Sequence, residues 1–277
     1  MKEGLDDIRL WKDKAFQGEM EVLRASCFDL SYPPHFHDEF VLAVFARGAQ
    51  RNRVCRKTGV AAPGTVMIIH PGEVHTGEAV ERDLGWDYCA FYPSEALIQQ
   101  VADAVLPGKG LVNFGSDIMR HAPMMAKEVL QTASVLASSQ DALEKESLFF
   151  ELLSALITQY GQRTTRGGAM RHARADVHHA IDYLQTHYHQ ALSVLDVARA
   201  AGLSEFHFMR LFQNTTGLSV HRFLTQIRLV RAKSLLSQGV SAAQTALDVG
   251  FFDQSHFSRT FRTHFGVTPG AYAAACR

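Results

Sequence analysis

The sequence has few cysteines, no long apolar run and no net charge. Its four cysteines are widely spaced and form no C-x-x-C pair: Cys27, Cys55, Cys89 and Cys276. This spacing disfavours a zinc finger or a dithiol redox centre, and we expect reduced thiols in a cytoplasmic protein. No run approaches the roughly 20 apolar residues that a membrane-spanning helix needs. The polar, acidic N-terminus argues against a signal peptide, so no membrane partner is expected.

The balanced charge hides an asymmetry between two parts of the chain. Residues 170–277 contain 11 Lys and Arg against 6 Asp and Glu, a charge of +5, whereas the remainder holds 17 against 22, a charge of −5. A length of 277 residues predicts two domains, each large enough to bury its own core. A basic module joined to an acidic one is typical of a nucleic-acid binder with a separate partner domain.

The C-terminal part contains one helical unit twice. Three residues recur at an offset of 49, so that Phe208, Arg210 and Phe212 match Phe257, Arg259 and Phe261. Each copy is predicted to be a short helix, a glycine-containing turn and a second helix capped by Ser204 or Asp253. At about 100° per residue, the two Phe of a copy share one face and the Arg points away from them. The pattern therefore predicts two helix-turn-helix units that each present an Arg outward.

A long helix is predicted between the two units, from about Ser219 to Ser237. At ~1.5 Å per residue it is about 28 Å long, which is close to the roughly 34 Å of one duplex turn. One chain is therefore expected to enter two successive major grooves on one face of the DNA. Thr268 and Pro269 are expected to begin a final short helix.

The N-terminal part is predicted to be a β-barrel or jelly roll, because short apolar runs such as 40–45 and 65–69 alternate with Pro and Gly turns. From about Glu95 the pattern becomes helical. A helix is predicted over 141–160, with an apolar stripe of Leu148, Leu152, Ala155, Leu156 and Gln159. This stripe is expected either to pack on the chain's own barrel or to pair with a second subunit in a homodimer.

Two fragments of the N-terminal part hold candidate ligand-binding groups: His35-Phe-His37-Asp-Glu39 and Pro71-Gly-Glu73-Val-His75. Alternate residues of an extended segment would turn His35, His37 and Glu39 to one side. The combination resembles the two motifs of the cupin barrel, in which three His and a Glu converge on a metal. The carboxylate, however, follows the second His after one residue rather than three or four.

Three interpretations of these fragments stay open. The first is a metal site, since imidazole and carboxylate are suitable ligands. The second is a metal-free pocket that binds a small polar metabolite through His37, Glu39, Glu73 and His75. The third is a set of barrel-rim residues that bind nothing. We adopt the second interpretation, which requires no metal and no cofactor.

The repeated segment is similar to a known family. The run from Ala246 to Phe261, with Gly266-Val-Thr-Pro269 and Tyr272, resembles the signature of the AraC/XylS transcription regulators, and the resemblance covers about 100 residues. The N-terminal half resembles that family's cupin-like effector domain. The resemblance implies an α+β protein with a cupin-like barrel and its helices at 1–160, a linker at 161–175, and an all-α domain at 176–277 in which a long helix joins two helix-turn-helix units.

The resemblance also implies function: binding of double-stranded promoter DNA, contact with RNA polymerase, and no enzymatic activity. The family's base readers correspond to Phe206, His207, Met209 and Arg210 in the first unit and to Gln254, Ser255, His256 and Arg259 in the second. Arg suits guanine and Gln suits adenine, while Phe206 and Met209 would either contact a thymine methyl or pack. Phosphate-contact candidates are Arg222, Arg228, Arg231 and Arg262.

Two other functions compete with this one. The first is a metal-dependent cupin enzyme that carries a DNA-binding module. The second is a constitutive DNA-binding protein whose barrel is only a scaffold. The effector's identity, and the choice between activation and repression, are not encoded in these motifs.

Overall fold

The computed structural model describes residues 6–16, 20–54, 57–164 and 175–276. The chain divides into two compact units, one comprising Met1–Tyr32 and His37–Gly168 and the other comprising Pro33–Phe36 and Ala169–Arg277. Strand β3, which crosses this division, is hydrogen-bonded to β8 and is therefore described with the β-rich unit. Cys27 and Cys89 are buried and form no disulfide, and Cys55 lies outside the described residues.

The first unit is built on short strands that antiparallel pairing joins into sheets. The strands are β1 (Asp7–Lys12), β2 (Met20–Cys27), β3 (Ser31–His35), β4 (Val41–Gly48), β5 (Gln50–Val54), β6 (Lys57–Ala61), β7 (Thr65–Ile69), β8 (His75–Ala79), β9 (Trp86–Pro93), β10 (Leu111–Asn113), β11 (Met119–His121) and β12 (Gln162–Thr164). A six-stranded sheet has the order β1-β2-β9-β4-β7-β11, and a four-stranded sheet has the order β3-β8-β5-β6. The predicted apolar strands 40–45 and 65–69 correspond to β4 and β7.

The two larger sheets share one apolar core. Alternate side chains of β4 and β9, such as Phe45 and Trp86, meet Tyr32, Val54 and Ala61 from the smaller sheet in this core. The alternation follows from the period of two along a strand, which sends every second side chain to the same face. The first unit is thus the expected double-sheet barrel, and its interior is rich in aromatic side chains.

The other face of the six-stranded sheet is covered by helices α1 (Glu95–Val105), α2 (Pro123–Ser138) and α3 (Ala142–Tyr160). The predicted helix over 141–160 is present, but the predicted stripe is displaced. Phe149, Leu152, Leu153, Leu156 and Ile157 are buried against the sheet, whereas Ala155 and Gln159 are exposed. The large Phe149 side chain fills the core between Phe16 and Phe91 and so sets the rotation of the helix.

In the second unit, the described residues 175–276 contain helices only, whereas residues 33–35 belong to β3. Its helices are α4 (Ala175–His187), α5 (Val194–Ala200), α6 (Glu205–Thr216), α7 (Val220–Ser237), α8 (Ala242–Asp248), α9 (Gln254–Phe265) and α10 (Pro269–Ala275). The long connecting helix and the short final helix were both predicted. The expected linker 161–175 was partly wrong, because 162–164 form β12 and pair with β10. Residues 165–174 lie outside the described part of the chain.

Candidate nucleic-acid interface and effector barrel

Helices α5 and α6 form the first helix-turn-helix unit, and α8 and α9 form the second. In both units the second helix ends at a glycine in the left-handed region, with φ of 77° at Gly217 and 75° at Gly266. A residue with a side chain rarely adopts this conformation, so both helices end at equivalent points. The matched glycines show that the sequence repeat is also a structural repeat.

The interior of each unit is an aromatic pair. Phe208 and Phe212 are completely buried, with ring centroids 5.4 Å apart. Phe257 and Phe261 are also completely buried, with ring centroids 5.6 Å apart. The four rings therefore belong to the core and are not available for stacking on bases. The same burial fixes the rotation of α6 and α9 about their axes.

Fixed rotation places the predicted base readers on the exposed faces of α6 and α9. Arg210 is exposed on α6, and Arg259 is exposed at the matching position of α9. The remaining predicted contacts are exposed as well: His207, Gln254, Ser255, His256 and Arg262. Because an Arg fork matches the acceptor pair of guanine in the major groove, either surface is suited to reading a base edge.

The exposed face of α6 is unusually apolar. Phe206 is 77% exposed and Met209 is 42% exposed, although both side chains are large and hydrophobic. Met209 is therefore not a buried core residue, and its contact with DNA stays a prediction. Both side chains are placed where they can contact a ligand.

The N-terminal caps of α6 and α9 differ. The Asp253 carboxylate accepts a 2.7 Å hydrogen bond from the backbone N–H of His256. Ser204 occupies the equivalent position on α6, but its side chain makes no capping hydrogen bond. Both predicted residues occupy the N-cap position of their helices, but only Asp253 makes a side-chain capping hydrogen bond. Helix α9 thus begins with one more satisfied donor than α6.

The phosphate candidates fall into two groups. Arg222, Arg231 and Arg262 are exposed. Arg228 is half-buried instead, with its Nε donating to the Tyr188 carbonyl at 2.8 Å and an Nη donating to the Gln190 carbonyl at 2.9 Å. Burial lowers the pKa of Arg228 below its ordinary value. Arg228 therefore joins α7 to the α4–α5 connection, and the interpretation of it as a phosphate contact is wrong.

Helix α7 lies between the two helix-turn-helix units. It contains 18 residues, which corresponds to about 27 Å at ~1.5 Å per residue. Its inner face is buried through residues such as Phe223, Ile227 and Leu236. The Nζ of Lys233 lies 5.4 Å from the ring centroid of Phe265 and 5.7 Å from that of Tyr272. A helix packed along its length in this way acts as a rigid connection.

Three histidines of the first unit's sheet region lie close together. One ring nitrogen from each of His35, His37 and His75 lies within 4.8 Å of the other two, and the three residues are buried. The Nδ1 of His35 is 2.7 Å from the Pro33 carbonyl oxygen, and the Nδ1 of His75 is 2.9 Å from the Glu73 carbonyl oxygen. Burial lowers the pKa of His75 to about 4, so its ring is neutral at physiological pH.

The two predicted carboxylates are placed differently from these histidines. The Glu73 carboxylate accepts a 3.2 Å hydrogen bond from the backbone N–H of His70 and lies 3.4 Å from the His70 ring. Burial alone would raise the pKa of Glu73, but the His70 contacts outweigh it and hold the pKa below its usual value. Glu39 is half-buried and is not part of the histidine group, because the chain bends at residues 38 and 39 and the alternation does not continue past His37.

Further polar groups lie inside the barrel. The hydroxyls of Tyr32 and Tyr88 are 2.7 Å apart, and burial raises the pKa of both well above the ordinary value. Trp86 Nε1 is buried and has no hydrogen-bond partner among the described residues. A buried donor without a partner costs free energy and calls for an explanation. Spacing in the sequence does not indicate the Tyr32–Tyr88 pair, since its members are 56 residues apart.

The described residues contain no helix that is both long enough and apolar enough to cross a membrane.

Comparison with protein families identifies both parts of the chain. Residues 17–153 match the AraC-like ligand binding domain. Residues 197–275 match a helix-turn-helix domain family and cover both units described above except the first three residues of α5. The two matches do not overlap, and they follow the order of the two compact units.

Known transcription regulators are similar to this chain over most of its length. The uncharacterized HTH-type transcriptional regulator YbfI of Bacillus subtilis is 28% identical over 239 residues, which cover 86% of this chain and 85% of that protein. The HTH-type transcriptional activator RhaS of Yersinia pestis is 25% identical over 249 residues, which cover 86% and 88%.

A solved structure shares the fold of the whole chain. The structure of wild-type ToxT from Vibrio cholerae, bound to an unsaturated fatty acid, has a TM-score of 0.57 at 13% identity and covers 99% of this chain and 97% of that chain. At this identity the likeness concerns the fold alone.

Proposed function

This chain belongs to the AraC family of transcription regulators, and from this premise we propose that α6 and α9 read promoter DNA while the barrel binds a small polar effector. The two helices enter successive major grooves on one face of the duplex. The bound protein controls transcription by contacting RNA polymerase. It has no catalytic activity of its own.

One observation carries the DNA-binding proposal: the equivalent Arg210 and Arg259 are exposed on two helices whose opposite faces are fixed by buried aromatic pairs. Folding alone does not require an arginine at these exposed positions, so its presence at the matching position of both helices favours a role in binding. A rigid α7 of about 27 Å keeps the two readers near the spacing of one duplex turn. The repeat therefore supports simultaneous contact with two half-sites.

The exposed residues assign a chemistry to each half-site. Arg259 pairs with guanine and Gln254 pairs with adenine in the half-site of α9. Phe206 and Met209 contact thymine methyl groups in the half-site of α6, where Arg210 adds a guanine contact. Arg222 and Arg262 bind phosphates and supply affinity without sequence information. The two half-sites of one operator are therefore expected to differ in sequence.

Selection of bound duplexes from a random library with the full chain tests this proposal. The enriched sites should contain two different motifs about one duplex turn apart. Arg262→Ala should weaken every sequence about equally and reduce the salt slope by roughly 1, whereas Arg51→Ala, on the barrel, serves as the charge-matched control. A full chain that enriches no motif would contradict the proposal.

The effector site is proposed to lie in the barrel around His37 and His75, with Glu39 and Glu73 as further contacts. A polar ligand is supported by the buried Trp86 Nε1, a donor that has no hydrogen-bond partner among the described residues. Buried imidazole rings and tyrosine hydroxyls nearby make the interior of the barrel polar. A sugar or an amino acid supplies such partners, unlike the fatty acid bound by ToxT.

A thermal-shift screen of sugars and amino acids tests this effector proposal. A true effector should raise the melting temperature of the wild type, and should do so much less in His37→Ala and His75→Ala. Glu78→Ala, on the exposed side of β8, is the control variant. If all four predicted contacts are removed and a metabolite still stabilises the protein, the location is wrong. A screen without any stabilising metabolite would favour a barrel that is only a scaffold.

The three-histidine group specifically favours a second candidate, a metal-dependent activity of the barrel. Metal analysis of the purified protein separates the two. One transition metal per chain that is lost in His37→Ala would favour the metal site, and metal-free protein that still binds a metabolite would remove it. Homodimerisation through the first unit is tested in the same preparation by light scattering coupled to gel filtration.

A further inference from the structure

Two arginines lie opposite each other on the face of the six-stranded sheet that α1, α2 and α3 partly cover. Arg9 of β1 is directly opposite Arg24 of β2, and Arg24 is directly opposite Cys89 of β9. Directly opposite residues of antiparallel strands point to the same face, with Cβ atoms about 5 Å apart. Like charges in this arrangement repel each other, and an anion bound between them would remove that repulsion.

The acidic groups nearby do not neutralise this pair. Asp87 is already bound by Arg47, whose Nε and Nη2 donate to its two oxygens at 2.8 Å, and this contact lowers the pKa of Asp87. Asp7 lies 3.7 Å from Arg9, but both side chains are mostly exposed and such pairs contribute little. In the described part of the chain, Arg24 has neither an ion pair nor a hydrogen bond through its side chain.

The other cation near the groove is neutralised. Lys145 of α3 lies 3.2 Å from the Asp13 carboxylate, which is almost completely buried. The charge of Arg24, in contrast, is felt at the neighbouring Cys89. Burial raises the pKa of the Cys89 thiol to about 12, and the positive charge of Arg24 opposes that rise. The local excess of positive charge is therefore centred on Arg24 and Arg9.

A groove of about 670 Å³ extends from this pair along the edge of the helical layer. Its apolar walls are Trp11, Leu130, Leu136 and Cys89, and Asp7 and Asp87 lie at its polar rim. A volume of this size falls in the range of sites that hold small molecules, in which apolar walls surround a few charged groups. The groove lies on the helix-covered face of the six-stranded sheet and is therefore separate from the proposed effector site around His37 and His75.

We infer that this groove is a second ligand site, which binds an organic monocarboxylate with an apolar body. The carboxylate lies between Arg9 and Arg24 and accepts hydrogen bonds from both guanidinium groups. The apolar body packs along Trp11 and Leu136. A single negative charge is favoured over a phosphate dianion because Asp7 and Asp87 flank the site. This site does not depend on DNA binding or on the barrel effector.

Binding of octanoate to the full chain, measured by calorimetry, tests the inference, with octanol as the uncharged probe. Octanoate should bind the wild type at least 10-fold more tightly than octanol and octyl phosphate, and its affinity should fall as salt is added. Arg24→Gln keeps much of the side chain but removes the charge. It should weaken octanoate roughly 10-fold and leave octanol unchanged.

Arg51→Gln is the matched control, because it removes an exposed arginine from the other sheet and should leave octanoate affinity unchanged. Arg24→Gln should melt no lower than the wild type, since a repulsion is removed, and this shows that lost binding is not lost folding. Equal octanoate affinity in the wild type and Arg24→Gln would overturn the inference, as would equal affinity for octanoate and octanol. The DNA affinity of Arg24→Gln, measured in parallel, should be unchanged, so that a failure here is distinct from a failure of the proposed regulator.

Discussion

The first and second helix-turn-helix units have similar buried residues but different exposed residues on their recognition helices. Both interiors hold a buried pair of phenylalanines, and both recognition helices end at a glycine with positive φ. On their exposed faces α6 carries Phe206 and Met209, whereas α9 carries Gln254 and Ser255. The two units therefore share a buried interior and differ on their exposed faces, which is the expected result if each unit reads a different DNA sequence.

The largest expected effect tests the shared interior. Phe208→Ala and Phe257→Ala should each destabilise the helical C-terminal part of the chain, residues 175–276, by about 3–5 kcal/mol. Each change removes a completely buried ring and leaves a cavity. Urea unfolding, followed by the loss of helical circular dichroism, measures both. Phe206→Ala makes the same chemical change at an exposed position and should change stability by less than about 0.5 kcal/mol. If one of the two core changes were tolerated, the interiors would not be equivalent.

The next effect tests the two exposed arginines. Arg259→Ala should weaken binding to a selected site by about 1–3 kcal/mol and relax discrimination at one guanine of the α9 half-site. Arg210→Ala should do the same at a guanine of the other half-site, and neither variant should alter the other's motif. Gel-shift titration against single-base variants of the site measures both. Unchanged affinity for Arg259→Ala would mean that α9 is not a reader.

The caps give a smaller contrast between the units. Asp253→Ala should cost about 1 kcal/mol of stability, since it removes the hydrogen bond to the His256 N–H at the start of α9. Ser204→Ala should cost only a few tenths of that, because its side chain makes no capping bond. Thermal unfolding of the two variants side by side checks the difference. Equal losses would show that Ser204 caps α6 in solution.

The smallest effect tests the apolar face of α6. Replacing a thymine of its half-site by uracil removes one methyl group, and this should weaken binding by about 0.8 kcal/mol or less if Phe206 covers that methyl. In Phe206→Ala the same replacement should have no effect. Thymines of the α9 half-site serve as the control. A uracil effect that persists in Phe206→Ala would assign the methyl contact to another residue.

The helical unit was predictable because its signals are local and occur twice. Turn glycines, capping residues and the aromatic spacing fix α5 to α9 within a residue or two, and the burial of Phe208 and Phe257 follows from helical periodicity. The base readers remain a prediction, but their exposure follows from the same periodicity. Arg228 was misjudged because its partners, the Tyr188 and Gln190 carbonyls, are 40 and 38 residues away in the sequence.

The barrel was less predictable because its contacts are distant in the sequence. His35 and His37 do approach His75, but Glu39 does not join them, since the chain bends at residues 38 and 39. Glu73 faces His70, a neighbour that only the turn after β7 brings close. The stripe of α3 was misplaced because many of its side chains are apolar, so that periodicity alone did not fix which face is buried.

Changing the distance between the two half-sites tests whether α6 and α9 bind one duplex together. A rigid α7 should hold both recognition helices at one spacing. Inserting 5 or 10 base pairs between the half-sites of a selected site should therefore lower the affinity of the full chain at least 10-fold, to that of one half-site alone. Unchanged affinity after either insertion would contradict the claim that α6 and α9 bind one duplex together.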